Sequence, residues 1–205
     1  MTGTRISIFP LAGAILYPGL HLPLHIFEPR YRAMVSDALA RDRRIGMIQP
    51  QQPTEGAPLY TIGCLGRIDE VEAMEDGRYN IVLEGESRFR ILRELDVTTP
   101  FRQIEAELIE EPLGEHLAPV ERACFEREAR RFADAQGYAV DWEAVIRLDD
   151  VSLINGVSQI APFDAASKQA LLEAPDLPMR CELLVQLMQF FGRRGDDDDN
   201  RVTLQ

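Results

Sequence analysis

The 205-residue sequence predicts an α+β protein: a strand-rich first half with one inserted helix, then a helical second half. Three observations carry this. Residues 4–112 hold short apolar runs with a two-residue period, separated by Gly and Pro. After Gly114 the apolar period lengthens to that of a helix, with Pro near helix starts and Gly near an end. Hydrophobic residues make up 45% and charged residues 27%, an ordinary globular balance that needs no disulfide or metal staple at this length. The expected divisions are residues 1–114, residues 115–194, and an acidic flexible tail over 195–205.

Ile6–Pro10 and Leu20–Ile26 read as strands, with Tyr17-Pro-Gly-Leu20 as the turn before the second. Pro29 opens a helix at a position where its missing N–H costs nothing, and Tyr31, Met34, Val35, Ala38 and Leu39 share one face. Ile45–Ile48 resumes as a strand, and Pro50, Pro53, Gly56 and Pro58 mark a loop. Tyr60–Val71 alternates. Glu75-Asp-Gly77-Arg is a hairpin signal, and Tyr79, Ile81 and Leu83 alternate again, followed by Phe89 and Ile91. Phe101–Ile109 is the last strand. Strands at this spacing suggest a small barrel or sandwich.

The second half opens with a helix between Pro119 and Gly137 whose stripe is Phe125, Ala129, Phe132 and Ala133. Further helices are expected over Asp141–Leu148, over Val151–Ile160, after an Asp164 cap, and from Asp176 to Gly192. The last is apolar almost all round, as a helix is when it is buried or docked on a partner.

Charge is unevenly spread. Residues 1–50 balance to +3, residues 51–115 to −9 and residues 116–205 to −6, for a net −12. Such a chain repels phosphate backbones, so nucleic acid is not an expected partner. The 22 residues from Ile6 to Phe27 lack Asp, Glu, Lys and Arg, but three prolines interrupt them, and neither a membrane span nor a signal peptide is expected. Cys64, Cys124 and Cys181 are too widely spaced for a zinc knuckle and suit a reducing, cytoplasmic setting. His21 and His25 flank Pro23, and in an extended strand they stand roughly 13 Å apart, too far to share one metal ion. No metal or cofactor is expected.

The segments Phe9-Pro-Leu11, Tyr17-Pro-Gly19 and Leu22-Pro-Leu-His-Ile-Phe-Glu-Pro-Arg-Tyr31 resemble the N-terminal substrate-binding domain of Lon-type ATP-dependent proteases. The likeness continues through Gly63-Cys-Leu-Gly-Arg67, Asp76-Gly-Arg-Tyr79, Arg88-Phe-Arg-Ile91 and Arg180-Cys-Glu-Leu-Leu184. It implies a PUA-like β pseudo-barrel followed by a C-terminal helical bundle. The motor and protease modules of full-length Lon are not matched. There is no G-x-x-x-x-G-K-[ST], and the only lysine, Lys168, adjoins Ser167 in a helix where neighbours point apart. No G-x-S-x-G elbow occurs either.

The resemblance implies a non-catalytic recognition or adaptor module for unfolded or exposed polypeptide segments, with a protease or chaperone as further partner. Leu16, Tyr17 and Leu20 are the expected polypeptide anchors, on a loop expected to leave them partly exposed. Glu28 is expected in a buried ion pair with Arg88 and Arg90. The alternative is a small-molecule binder or an unrecognised enzyme with a pocket between barrel and bundle.

Overall fold

A computed structural model describes the main chain of residues 3–112 and 114–199, and side chains as far as Gly192. Its strands are β1 (Thr4–Pro10), β2 (His21–Ile26), β3 (Arg44–Ile48), β4 (Ile62–Ala73), β5 (Tyr79–Glu94) and β6 (Gln103–Leu108). The helices are α1 (Pro29–Leu39), α2 (Pro119–Ala135), α3 (Trp142–Ile146), α4 (Asp150–Ile160), α5 (Ala165–Glu173) and α6 (Leu177–Asp199). The class is α+β, and the chain divides into two compact units, Met1–Glu111 and Pro112–Gln205.

In the first unit the strands form one mixed sheet in the order β2-β5-β4-β3-β1-β6, and β5 pairs with β6 as well. Five strands therefore close a ring, with β2 attached outside it. The length of β5 makes this possible. Its first part, Tyr79–Glu84, pairs with β2, and its last part, Phe89–Glu94, pairs with β6. Along its other edge it pairs with β4, from the hairpin at Gly77 onward. Gly77 takes φ 82°, the left-handed turn conformation that glycine adopts without strain.

Alternation along the strands feeds two apolar cores. Inside the ring lie Ile6, Ile8, Ile48, Leu65, Phe89, Ile104 and Ala106. Phe89 is fully buried, in a space left by two glycines. A Cβ at Gly46 would lie 3.0 Å from the Phe89 ring, and one at Gly63 would lie 2.5 Å from it. Outside the ring, Ile45, Met47, Cys64, Ile68, Ile81 and Leu83 pack with Tyr31, Met34, Val35 and Ala38 of α1. These α1 residues are the ones its helical period marks for burial.

The second unit packs α2, α4 and α5 around α6, and its core is built on Phe125, Phe132, Leu153, Leu171, Leu177 and Leu184. Asp141, Asp149 and Asp164 cap α3, α4 and α5 by accepting main-chain N–H bonds. The helix expected to end at Gly192 instead continues to Asp199. The tail expected over 195–205 thus begins as helix, and residues 200–205 lie outside the described residues.

Candidate functional site

A cleft of about 850 Å³ belongs wholly to the first unit. It opens at the end of the ring where β1 and β3 begin and β6 ends. Ile6 and Leu65 line it from the ring interior, and the end of α1 contributes Asp37 and Ala38. Four successive residues of β1, Thr4 to Ser7, border it, as do four of β5, Glu84 to Ser87.

Most of its charged side chains are engaged with one another. Arg44 grips Glu86 with Nε at 2.6 Å and Nη2 at 3.3 Å, and this hydrogen bonding raises the Arg44 pKa above its usual value. Glu84 accepts from Arg67 at 2.6 Å, and Asp37 from Arg41 at 3.1 Å. Asp42 accepts the Arg44 main-chain N–H at 3.2 Å. The Arg5 guanidinium donates to Gln103 Oε1 at 2.5 Å. These groups are partly solvated, so each pair contributes about 0–1 kcal/mol to stability. Their effect on the site is to hold side chains aside. Neither histidine nor cysteine is among the residues that line the cleft.

The expected polypeptide anchors are elsewhere. Leu16 and Tyr17 are fully buried, Ile15 is 3% exposed and Leu20 is half-buried. The expectation that this loop presents its apolar side chains is corrected by glycine notches in the neighbouring strands. A Cβ at Gly66 would lie 2.8 Å from Leu16 Cδ2, and one at Gly85 would collide with the Tyr17 carbonyl. The loop sinks into the sheet, tied by Gly19 N–H to the Gly85 carbonyl at 2.9 Å.

The expected Glu28–Arg88–Arg90 pair does not form. Glu28 accepts from Arg30 at 2.9 Å, and Arg30 also pairs with Glu55 and lies over the Tyr31 ring. Arg88, 4% exposed, clamps Glu111 at 2.7 and 3.1 Å, while Arg90 is exposed. Register explains the separation. Ile26 sits opposite Tyr79, so Glu28 lies beyond the start of β5, and Arg88 is nine residues further along, up to ~30 Å of extended chain.

His21 and His25 lie in extended β2, with His25 Nδ1 2.7 Å from Asn80 Oδ1. Among the described residues, no cluster of three or more His, Cys, Asp and Glu is placed to hold a metal, and no helix is long and apolar enough to cross a membrane. Cys64 and Cys181 are buried, and burial pushes the Cys181 thiol up to about 12. Lys168 donates to the Gln159 carbonyl at 2.9 Å, and burial lowers its pKa.

The model of the ATP-dependent protease La (LON) substrate-binding domain family matches residues 5–189, and the chain belongs to that family. Among curated relatives, Lon protease 2 of Myxococcus xanthus is 27% identical over 197 residues, covering 89% of this chain and 23% of that protein. Lon protease of Anaeromyxobacter dehalogenans is 25% identical, with the same coverage. The chain thus spans about a quarter of the length of these relatives. Among solved structures, a Lon N-terminal domain protein from Xanthomonas campestris superposes with a TM-score of 0.69 at 22% identity, over 89% of this chain and 98% of that one. The N-terminal domain of the Mycobacterium avium complex Lon protease gives 0.69 at 19% identity, over 91% and 98%. At these identities the likeness is one of fold.

Proposed function

We propose that this chain is a non-catalytic recognition module that binds unfolded or exposed polypeptide segments, and that the cleft at the open end of the strand ring is where they bind. The carrying observation is that cleft, found in a member of a substrate-binding-domain family. It is bordered by main chain on two strands and holds charged groups that mostly satisfy each other. In this reading the first unit is a PUA-like pseudo-barrel, supported by the β5–β6 pairing that closes its ring, and the second a helical bundle built on α6. The module works in the cytoplasm, beside a protease or chaperone that receives its clients.

A small-molecule reading is favoured only by the cleft's size, which falls in the range of ligand pockets. Its lining is charged on most sides, where such pockets are mostly apolar. The test is titration of labelled, unfolded casein with the protein, followed by anisotropy. Saturable binding is expected, with no casein cleavage and no ATP turnover when ATP and magnesium are added. Absence of binding overturns the proposal, as does hydrolysis abolished by one point mutation.

A further inference from the structure

Successive side chains of a strand point to opposite faces of its sheet. A cavity that touches Thr4, Arg5, Ile6 and Ser7 in turn therefore runs along the edge of β1 rather than over one face. The edge in question is fixed by the ladders. On one side, Thr4 to Ser7 pair with Ala106 to Gln103 of β6. On the other, pairing with β3 begins only at Ile8 opposite Gly46. Among the described residues, no strand pairs with Thr4–Ser7 on that side.

Hydrogen-bond parity says which main-chain groups face the opening. Ile8 N–H bonds to the Arg102 carbonyl at 3.0 Å, on the β6 side. In an antiparallel ladder alternate residues turn the same way, so Thr4 and Ile6 also face β6. The main chain of Arg5 and the N–H of Ser7 face the cleft.

We infer that the cleft takes its client as an added β-strand, hydrogen-bonded to the Arg5–Ser7 edge of β1, so that it reads extended main chain rather than a particular side-chain sequence. This rests on the polypeptide-binding reading and deepens it. The occupant follows from what the cleft offers. Most of its ionic side chains already pair within the protein, through Arg44–Glu86, Arg67–Glu84 and Arg41–Asp37, which leaves little charge to select a charged ligand. Strand addition satisfies main-chain donors and acceptors on both partners, and its affinity comes from the backbone. The Thr4–Ser7 stretch is about 13 Å long, roughly four residues of client, and along it Arg5 and the Ser7 N–H supply the facing main-chain groups.

The first test modifies the ligand. A fluorescein-labelled peptide of alternating Thr and Val is titrated with the whole chain, alongside one version N-methylated at alternate residues and one N-methylated at every residue. A strand lying on one edge offers that edge only alternate N–H groups. The half-methylated peptide keeps one intact edge to turn toward β1 and is expected to bind within about twofold of the parent, whereas the fully methylated one should bind about tenfold more weakly. If both versions bind like the parent, or both lose equally, the added-strand mode is overturned while polypeptide binding stands. If neither the parent peptide nor unfolded casein binds, the functional reading itself falls. A Ser7→Pro variant, which removes the N–H facing the cleft, is compared after its melting temperature matches the parent chain, and it should bind the Thr/Val peptide several-fold more weakly. Undiminished binding by that folded variant also overturns the inference.

Discussion

The two units solve the problem of a small core in opposite ways. In the ring, space is set by what is missing: Gly46 and Gly63 leave the room that Phe89 fills. In the helical unit the core is tied by a buried charge. Arg180, 4% exposed, donates to the Leu171 carbonyl at 3.0 Å, to Asn155 Oδ1 at 2.7 Å and to the Ala174 carbonyl at 3.4 Å. Its three arms gather α4, the end of α5 and the turn into α6. A strand ring has few side-chain positions pointing inward, so shape decides its packing. Helices leave irregular ends, and their orphan carbonyls need donors. The difference teaches that the first unit fails through volume changes and the second through loss of polar partners.

The largest effect is expected from emptying the ring. Phe89→Ala removes a fully buried aromatic and should cost about 3–5 kcal/mol in chemical denaturation. Gly46→Ala should cost about 1–3 kcal/mol by overpacking against Ile6 and Phe89. The sharper measurement is their coupling. In a Phe89→Leu background, Gly46→Ala should cost clearly less than in the parent chain, since the ring it meets is gone. Equal costs in both backgrounds would show that the glycine is not there to make room for Phe89.

For the helical unit, Arg180→Met keeps the length of the side chain and deletes its donors. Asn155 Oδ1 and two carbonyls are then buried with a lost partner, and the expected cost is about 2–3 kcal/mol. A change below about 0.5 kcal/mol would mean that packing alone holds this core, and the contrast between the units would collapse.

Much of this architecture was legible in the sequence, because alternation and helical period report which face a residue buries. The stripe of α1, the Gly77 hairpin and the Asp164 cap all follow from local chemistry. Local pattern left barrel and sandwich both open, and only the family resemblance pointed to a pseudo-barrel, since closure of the ring depends on one 16-residue strand serving three partners, which no residue type signals. Burial of Leu16 and Tyr17 did leave a signal, in Gly66 and Gly85 within strands, where a glycine often marks close approach of another backbone. Ion pairing is the least legible of all. With 22 basic and 34 acidic side chains, local composition allows many partners for Glu28, and only register chooses among them. A cleft bordered by main chain leaves no side-chain motif to find.

The smallest predicted effects compare the helix starts of the two units. Asp149 caps α4, accepting the Ser152 N–H at 2.9 Å and its hydroxyl at 2.7 Å, and these bonds hold its carboxyl below the usual range. Glu28 stands at the same position of α1 but makes no side-chain cap bond and leans on Arg30 instead. Asp149→Ala should therefore cost about 1 kcal/mol at neutral pH. Glu28→Ala should cost under about 0.5 kcal/mol, since removing an exposed pair loses little. The pH dependence has a definite sign. A carboxyl with a depressed folded pKa binds fewer protons folded than unfolded, so its contribution is full above the ordinary Asp pKa of about 3.9 and fades as pH falls below it. Denaturation of the parent chain and Asp149→Ala at a series of pH values should show the gap between them constant from neutrality to about pH 5 and shrinking in stronger acid. A gap that widens in acid would reverse the sign and remove Asp149 as the charged cap of α4.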